Sequence, residues 1–206
     1  KQVVLVADSI AKEGIAEFGK YPELELVVKT GLAPEKLAQD VGAAAGLVVR
    51  SATQATRDII AAAKALRVIG RAGAGVDNID VEAATRRGIP VVNSPEGNTL
   101  AATEHTMAMM LALARNIPQA DASLKQKQWK RSKFMGVELN EKTLGILGLG
   151  RIGREIAKRA KAMEMKVIAY DPFFTADTAL DGKVTIVKAL DTLLADADFI
   201  TIHAQG

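Results

Sequence analysis

The sequence predicts an α/β protein built on two successive parallel sheets, and three observations predict it. Short β-branched runs alternate with alanine-rich or amphipathic segments from Val3 to Val92. A cluster of turn formers, Asn93-Ser94-Pro95-Glu96-Gly97-Asn98, then interrupts that rhythm. The alternation starts afresh near Leu144 with a strand, a glycine-rich turn and a helix. Regular alternation of this kind implies right-handed βαβ units and a sheet covered on both faces.

In the first part, Val3 to Ala7, Leu24 to Val28, Leu47 to Val49, Val68 to Ile69 and Val91 to Val92 read as buried parallel strands. The segments Ile10 to Phe18, Pro34 to Val41, Thr56 to Ala65 and Val81 to Arg87 read as the intervening helices. Five strands suit a flavodoxin-like domain over 1–95. A boundary near Pro95 leaves 96–206 for the second domain. There a long helix is expected over Leu100 to Arg115, capped by Asn98 or Thr99 and stopped by Pro118. Its Met107, Met110, Leu111 and Ala114 share helical spacing and read as core or subunit interface. A polar segment should lead on to Trp129. Strands are expected at Thr143 to Leu147 and Val167 to Asp171. The run Phe199 to Ile202 reads as a third strand after the helix Asp191 to Ala197. Three strands would make one half of a Rossmann dinucleotide fold, with the first strand left at an open edge.

Composition narrows the function classes. The chain has 206 residues, 49% of them hydrophobic, and a formal net charge of only +3, so global charge points to neither nucleic acid nor membrane. The longest uninterrupted apolar run, Met107 to Ala114, is far too short to span a bilayer. No cysteine is present and only two histidines, so a metal centre is not expected. A cytoplasmic protein is the expectation.

The motif that carries most chemistry is Gly148-Leu149-Gly150-Arg151-Ile152-Gly153, placed between a strand and a helix. The first glycine allows the turn, the second lets the backbone approach a pyrophosphate, and the third lets helix and strand pack closely. The helix opening at Arg151 directs free N–H groups at the phosphates. Asp171 follows Gly153 by 18 residues, the spacing of an acid that binds the adenosine ribose. A carboxylate there would repel a 2′-phosphate, which favours NAD over NADP. The competing reading is an ordinary βα turn.

A second glycine-rich loop, Gly70 to Asn78, follows the strand at Val68-Ile69. Three glycines in six residues suggest unusual dihedrals or close backbone approach. A nest of N–H groups from Gly73, Ala74 and Gly75 could hold a substrate carboxylate at the sheet edge. Arg50 and Ser51 end another strand at that edge and could clamp an anion, or form a surface ion pair. Five basic residues between Lys125 and Lys133 surround Trp129 and read as a solvated face. His105 reads as a packing or interface residue, and His203 shows no carboxylate partner that would make it a base.

Gly70 to Asn78, Val91-Val92-Asn93, Gly97-Asn98-Thr99, Glu104-His105, Ala114-Arg115-Asn116, Trp129 and Leu147 to Ile156 together resemble the D-2-hydroxyacid dehydrogenase family, and most closely its members acting on 3-phosphoglycerate, which open phosphorylated serine biosynthesis. The resemblance implies a substrate-binding domain over 1–95 and an NAD-binding domain over 96–206. It implies that Arg151, Ile152 and Asp171 bind NAD, with Ala74 near the nicotinamide where many members carry threonine. It further implies that Arg50, Ser51, Asn98 and Arg131 hold the phosphate or carboxylate, Arg131 reaching from a neighbouring subunit of a homodimer or homotetramer. The family's catalytic histidine, its acid and the orienting arginine fall downstream of residue 206, and Ala204-Gln205-Gly206 stands where a Pro-Leu-Thr-like segment is usual. The chain is therefore expected to be an N-terminal portion without turnover. A glyoxylate or hydroxypyruvate reductase, or an NAD-sensing corepressor-like binding protein, remains an alternative.

Overall fold

All five β-branched runs of the first part pair in parallel in a computed structural model that describes residues 1–174 and 184–204. Gln205 and Gly206 lie outside the described residues. Strands β1 (Gln2–Val6), β2 (Leu24–Val28), β3 (Gly46–Val49), β4 (Val68–Arg71) and β5 (Val91–Asn93) take the order β2-β1-β3-β4-β5. That is the 2-1-3-4-5 order of a flavodoxin-like sheet. The register sets Leu5 beside Leu47, and Leu47 beside Ile69, along the buried centre of the sheet.

Helices α1 (Lys12–Phe18), α2 (Pro34–Asp40), α3 (Arg57–Ala62) and α4 (Val81–Arg86) connect these strands. Local chemistry starts them: Pro34 opens α2, the Thr56 hydroxyl accepts from the Ile59 amide, and the Asp80 carboxylate accepts from the Ala83 amide at 2.8 Å. Helix α3 ends at Ala62, short of the expected Ala65, because Ala63 has left helical geometry with ψ at 76°. Leu37, Ile59, Ile60, Ala83 and Ala84 pack onto the strands in one apolar core.

Contacts divide the chain into Lys1–Asn98 and Thr99–Gly206. The second unit opens with α5 (Thr99–Ala114), whose Met107, Met110 and Ala114 are buried in that unit's core. His105 on the same helix is exposed, so it does not pack within the unit. Pro118 does not end this helix, contrary to expectation. The break falls at Asn116, in left-handed geometry with φ at 51°, and Pro118 lies in the first turn of α6 (Ile117–Lys125). A proline there is tolerated because the early N–H groups of a helix have no intrahelical acceptor. The polar segment is thus largely helical.

Strands β6 (Thr143–Leu147), β7 (Lys166–Tyr170), β8 (Thr185–Ile186) and β9 (Phe199–Ile202), with helices α7 (Arg151–Ala162) and α8 (Leu190–Asp196), complete the second unit. Their order is β8-β7-β6-β9, all parallel. Two expectations are corrected. The third strand is β8, two residues long, within the β-branched stretch Val184-Thr185-Ile186-Val187 that was not expected as a strand. The run Phe199 to Ile202 is a fourth strand on the other side of β6, so β6 is flanked on both sides and is not an edge. The order matches strands 3-2-1-4 of the doubly wound dinucleotide fold, and the reversal of strand order lies between β6 and β9. Among the described residues, no helix is long and apolar enough to cross a membrane.

Candidate functional site

The strand-order reversal places a crevice outside the C-terminal ends of β6 and β9, the position where open α/β sheets bind ligands. The glycine loop fills one side of it, and its three glycines meet three different surroundings. Gly148 has φ at 88°, and a Cβ there would lie 2.7 Å from the backbone carbonyl of His203. A Cβ on Gly153 would collide with the Gly148 carbonyl oxygen. The fold itself therefore requires both. Gly150 has an ordinary φ of −70°, is exposed, and a Cβ there would meet nothing within 4 Å. No packing contact requires glycine at 150, and the backbone there is open to close approach.

Gly150 is also the N-cap of α7 and brings no side chain to cap it. The N–H groups in the first turn of a helix lack intrahelical acceptors and attract anions. Leu149 between the glycines is buried, and its amide donates to Asp171 Oδ2 at 2.7 Å. Asp171 Oδ1 accepts from the Phe173 amide at 2.9 Å. Each carboxylate oxygen has a second lone pair, so Asp171 can hold the loop and still accept from ribose hydroxyls. Arg154 tightens the same loop: its Nε donates to the Leu149 carbonyl at 3.2 Å, and its guanidinium lies 4.4 Å from the centre of the Phe174 ring. The residues present fit a dinucleotide: an open backbone at Gly150, a helix start whose N-cap glycine brings no side chain, and an acid at the end of β7.

His203 closes β9, with Nε2 2.7 Å from the Thr201 hydroxyl. Burial pushes its pKa below the ordinary 6.5, so the ring is neutral at pH 7.

The first unit holds a cavity of about 470 Å³ at the C-terminal edge of its sheet. It brings together Arg50, Ser51, Gly73, Ala74, Gly75 and Asn98, six of the seven residues expected to bind substrate. The seventh, Arg131, belongs to the second unit, where it opens the 3₁₀ turn Arg131–Phe134 and lines a cavity with Trp129 and Phe134. The Arg50 guanidinium makes no ion pair among the described residues, which removes the surface-pair reading; it faces the cavity as a free cation. The Gly73–Gly75 nest needs correction on two points. No glycine of that loop has positive φ, and the Gly73 amide already donates to the Arg71 carbonyl at 2.8 Å. Only the Ala74 and Gly75 amides are left without a protein acceptor among the described residues.

Three residues that sequence reasoning missed shape this cavity. Arg71 Nη1 donates to the Gly75 carbonyl at 2.6 Å and its Nε to the Arg50 carbonyl at 3.2 Å. Asn78 donates to the Arg50 and Thr53 carbonyls, and Asp8 at the end of β1 accepts from the Arg50 amide. Burial alone would raise the Asp8 pKa, but the Arg50 amide and the Thr53 hydroxyl and amide outweigh it and hold the carboxyl below its ordinary 3.8. The available signal was position: each polar residue follows a strand of the same sheet and so arrives at the same edge.

Residues 4–202 match the family model described as the D-isomer specific 2-hydroxyacid dehydrogenase catalytic domain. The D-3-phosphoglycerate dehydrogenase of Archaeoglobus fulgidus is 54% identical over 200 residues, or 97% of this chain. That of Sus scrofa is 50% identical over 203 residues, again 97% of the chain. The chain spans 38% and 37% of these two relatives' lengths. Among solved structures, D-lactate dehydrogenase from Aquifex aeolicus complexed with NAD and lactic acid aligns with a TM-score of 0.86 at 27% identity, covering 98% of this chain and 60% of that one. A D-isomer specific 2-hydroxyacid dehydrogenase, NAD-binding, from Polaromonas aligns with a TM-score of 0.89 at 27% identity, covering 100% and 66%. With its two parallel sheets in place and the match running almost end to end, the chain belongs to the D-isomer specific 2-hydroxyacid dehydrogenase family, whose members are NAD-dependent oxidoreductases.

Proposed function

We propose that this chain is part of an NAD-dependent dehydrogenase that oxidises the C2 hydroxyl of 3-phospho-D-glycerate to give 3-phosphohydroxypyruvate. The observation that carries the cofactor half is the open side of Gly150, the side-chain-free N-cap of α7. The substrate half is supported by the free Arg50 guanidinium, the Ser51 hydroxyl and the amides of Ala74 and Gly75 around one cavity, and by relatives that bear the phosphoglycerate dehydrogenase name at 50% identity and above.

In this reading the first-turn amides of α7, from Arg151 and Ile152, hold the pyrophosphate, and Gly148 and Gly153 shape the loop around it. Asp171 accepts from the ribose hydroxyls and repels a 2′-phosphate. Once bound, NAD supplies the hydride acceptor. Arg50, Ser51 and Asn98, with Arg131 from a second copy, neutralise and orient the substrate's two anionic ends. Among the described residues His203 is a poor base, because it faces the Thr201 hydroxyl and no carboxylate that would orient it and stabilise its protonated form. We place the proton acceptor downstream of residue 206. Exposed Met109, Leu113 and Ile117 on α5 and α6 support a homodimer or homotetramer, which we assign to the cytoplasm.

Calorimetric titration tests the cofactor half. NAD should bind with measurable heat and NADP markedly more weakly; no heat from NAD overturns it. Turnover of 3-phosphoglycerate by the 206-residue chain above background would overturn the placement of the base.

A further inference from the structure

The loop Arg50 to Thr53 carries no regular secondary structure, yet its backbone polar groups are held by side chains far away in sequence. Asp8 Oδ2 accepts from the Arg50 amide at 2.5 Å and the Thr53 amide at 3.1 Å. Asp8 Oδ1 lies 2.8 Å from the Thr53 hydroxyl. From the other side, both amide hydrogens of Asn78 are used, on the Arg50 carbonyl at 2.7 Å and the Thr53 carbonyl at 2.6 Å. Asp8 and Asn78 are 5% and 4% exposed, so water competes little for these bonds. A buried carboxylate and a buried carboxamide in a small domain carry a desolvation cost that aliphatic side chains would not. Their geometry spends that cost on one four-residue loop.

We propose that Asp8, Asn78 and Thr53 are positioning residues: they fix the Arg50–Ser51 backbone so that the guanidinium and hydroxyl are already aimed into the anion cavity before substrate arrives. This rests on the substrate half of the proposed function. A long arginine side chain loses considerable rotamer freedom when it binds, and anchoring its backbone limits what remains to be ordered. Sites of this kind need their groups held to within about 0.5 Å by a supporting shell. None of the three residues need touch the ligand. The Thr53 bond is the most separable part, since its hydroxyl can be deleted with little change of shape.

The test titrates 3-phosphoglycerate into the isotope-labelled 206-residue chain, following the Ala74 and Gly75 amides, with NAD titrated in parallel and followed at Arg151 and Ile152. Thr53→Val should weaken 3-phosphoglycerate about fivefold, the loss of one hydrogen bond of about 1 kcal/mol. Thr53→Ser, which keeps the hydroxyl, should restore wild-type affinity. Asp8→Asn presents a carboxamide to two amide donors and should weaken binding more than Thr53→Val. NAD affinity should stay within about twofold in all three, because the altered bonds lie within the first unit and the dinucleotide loop belongs to the second. Arg50→Ala is the control that separates the two failures. If it weakens binding while Thr53→Val and Asp8→Asn bind like wild type, the positioning role is overturned and the anion site stands. Unchanged binding in Arg50→Ala, or none in the wild type, overturns the site and the inference with it. Should Asp8→Asn fail to fold, the Thr53 pair decides: weakening in Val with rescue in Ser supports the role, and equal affinity overturns it.

Discussion

Each unit sets a glycine-rich loop at the C-terminal edge of a parallel sheet, but the two loops hold their shape by different means. In Gly70 to Gly75 the neighbours of the glycines are side chains: Arg71 Nη1 lies 3.2 Å from where a Gly73 Cβ would stand, and Asp77 Oδ1 lies 2.7 Å from the position on Gly75. Arg71, Asn78 and Asn93 then fasten the surrounding loops by donating to their carbonyls. In Gly148 to Gly153 the tight contacts are with backbone, the His203 carbonyl and the Gly148 carbonyl. A side-chain network can move over to admit a methyl group. Strand β9 and a helix start cannot. Glycine spacing alone therefore says little about why each glycine is there; the identity of the neighbour decides it.

The two contacts of 2.7 Å break the comparison most directly. Gly148→Ala combines a φ of 88° with a clash against β9, and should destabilise the second unit by about 3 kcal/mol or more, read from chemical denaturation. A stable, correctly folded Gly148→Ala would refute the backbone account. Gly150→Ala separates ligand from fold within the same loop. Its stability should stay within about 0.5 kcal/mol of wild type, while NAD affinity falls about tenfold or more, since the methyl group enters the space left for the pyrophosphate. Equal NAD affinity by calorimetry would mean that the open side of Gly150 faces no ligand. Gly75→Ala is the counterpart in the first unit. Its nominal clash is with Asp77, whose side chain is 82% exposed and can turn away at the loss of its 3.4 Å ion pair with Arg71, so the cost should be about 1 kcal/mol or less by the same denaturation.

How much of this could be read from the sequence follows the same division. Period and composition reach the strands of the first unit, the βαβ start of the second and the acid of Asp171, because those signals are local. Strand order is not local, and β8 has only two residues, so Phe199 to Ile202 took its place in the count. Pro118 misled because a proline reads the same whether it stops one helix or opens the next; Asn116, in left-handed geometry, is the actual break. At the cavity of the first unit, Arg50, Ser51 and the Gly73 to Gly75 stretch were reached from their positions after strands, and Asn98 through the family resemblance. Asp8, Arg71 and Asn78 were not reached, although they too stand at or after strand ends, since their partners are backbone groups 4 to 45 residues away along the chain and only the folded sheet brings them together. The Gly73 amide was assigned to a ligand when a local turn had already taken it.

The smallest effect is one of pH, and it sharpens the contrast between a carboxylate that shapes the cavity and one that only trims a sheet. Asp8 and Asp198 are both held below the ordinary 3.8, Asp8 by donors that overcome burial, Asp198 first by the Thr143 amide at 2.8 Å. In each case the folded pKa lies below the unfolded one, so the unfolded chain binds the extra proton as pH falls. The contribution of each group to stability is complete above 3.8 and is lost as pH drops through its folded value. Asp8→Asn should flatten the acid limb of the stability curve below pH 3.8 and weaken 3-phosphoglycerate binding at pH 7. Asp198→Asn should leave that binding unchanged, because Asp198 stands half exposed at the far end of β6 from the crevice and in the other unit. Equal loss of affinity in the two variants would show that acid sensitivity and anion binding share only the general stability of the chain, and that the Asp8 bonds do no specific positioning.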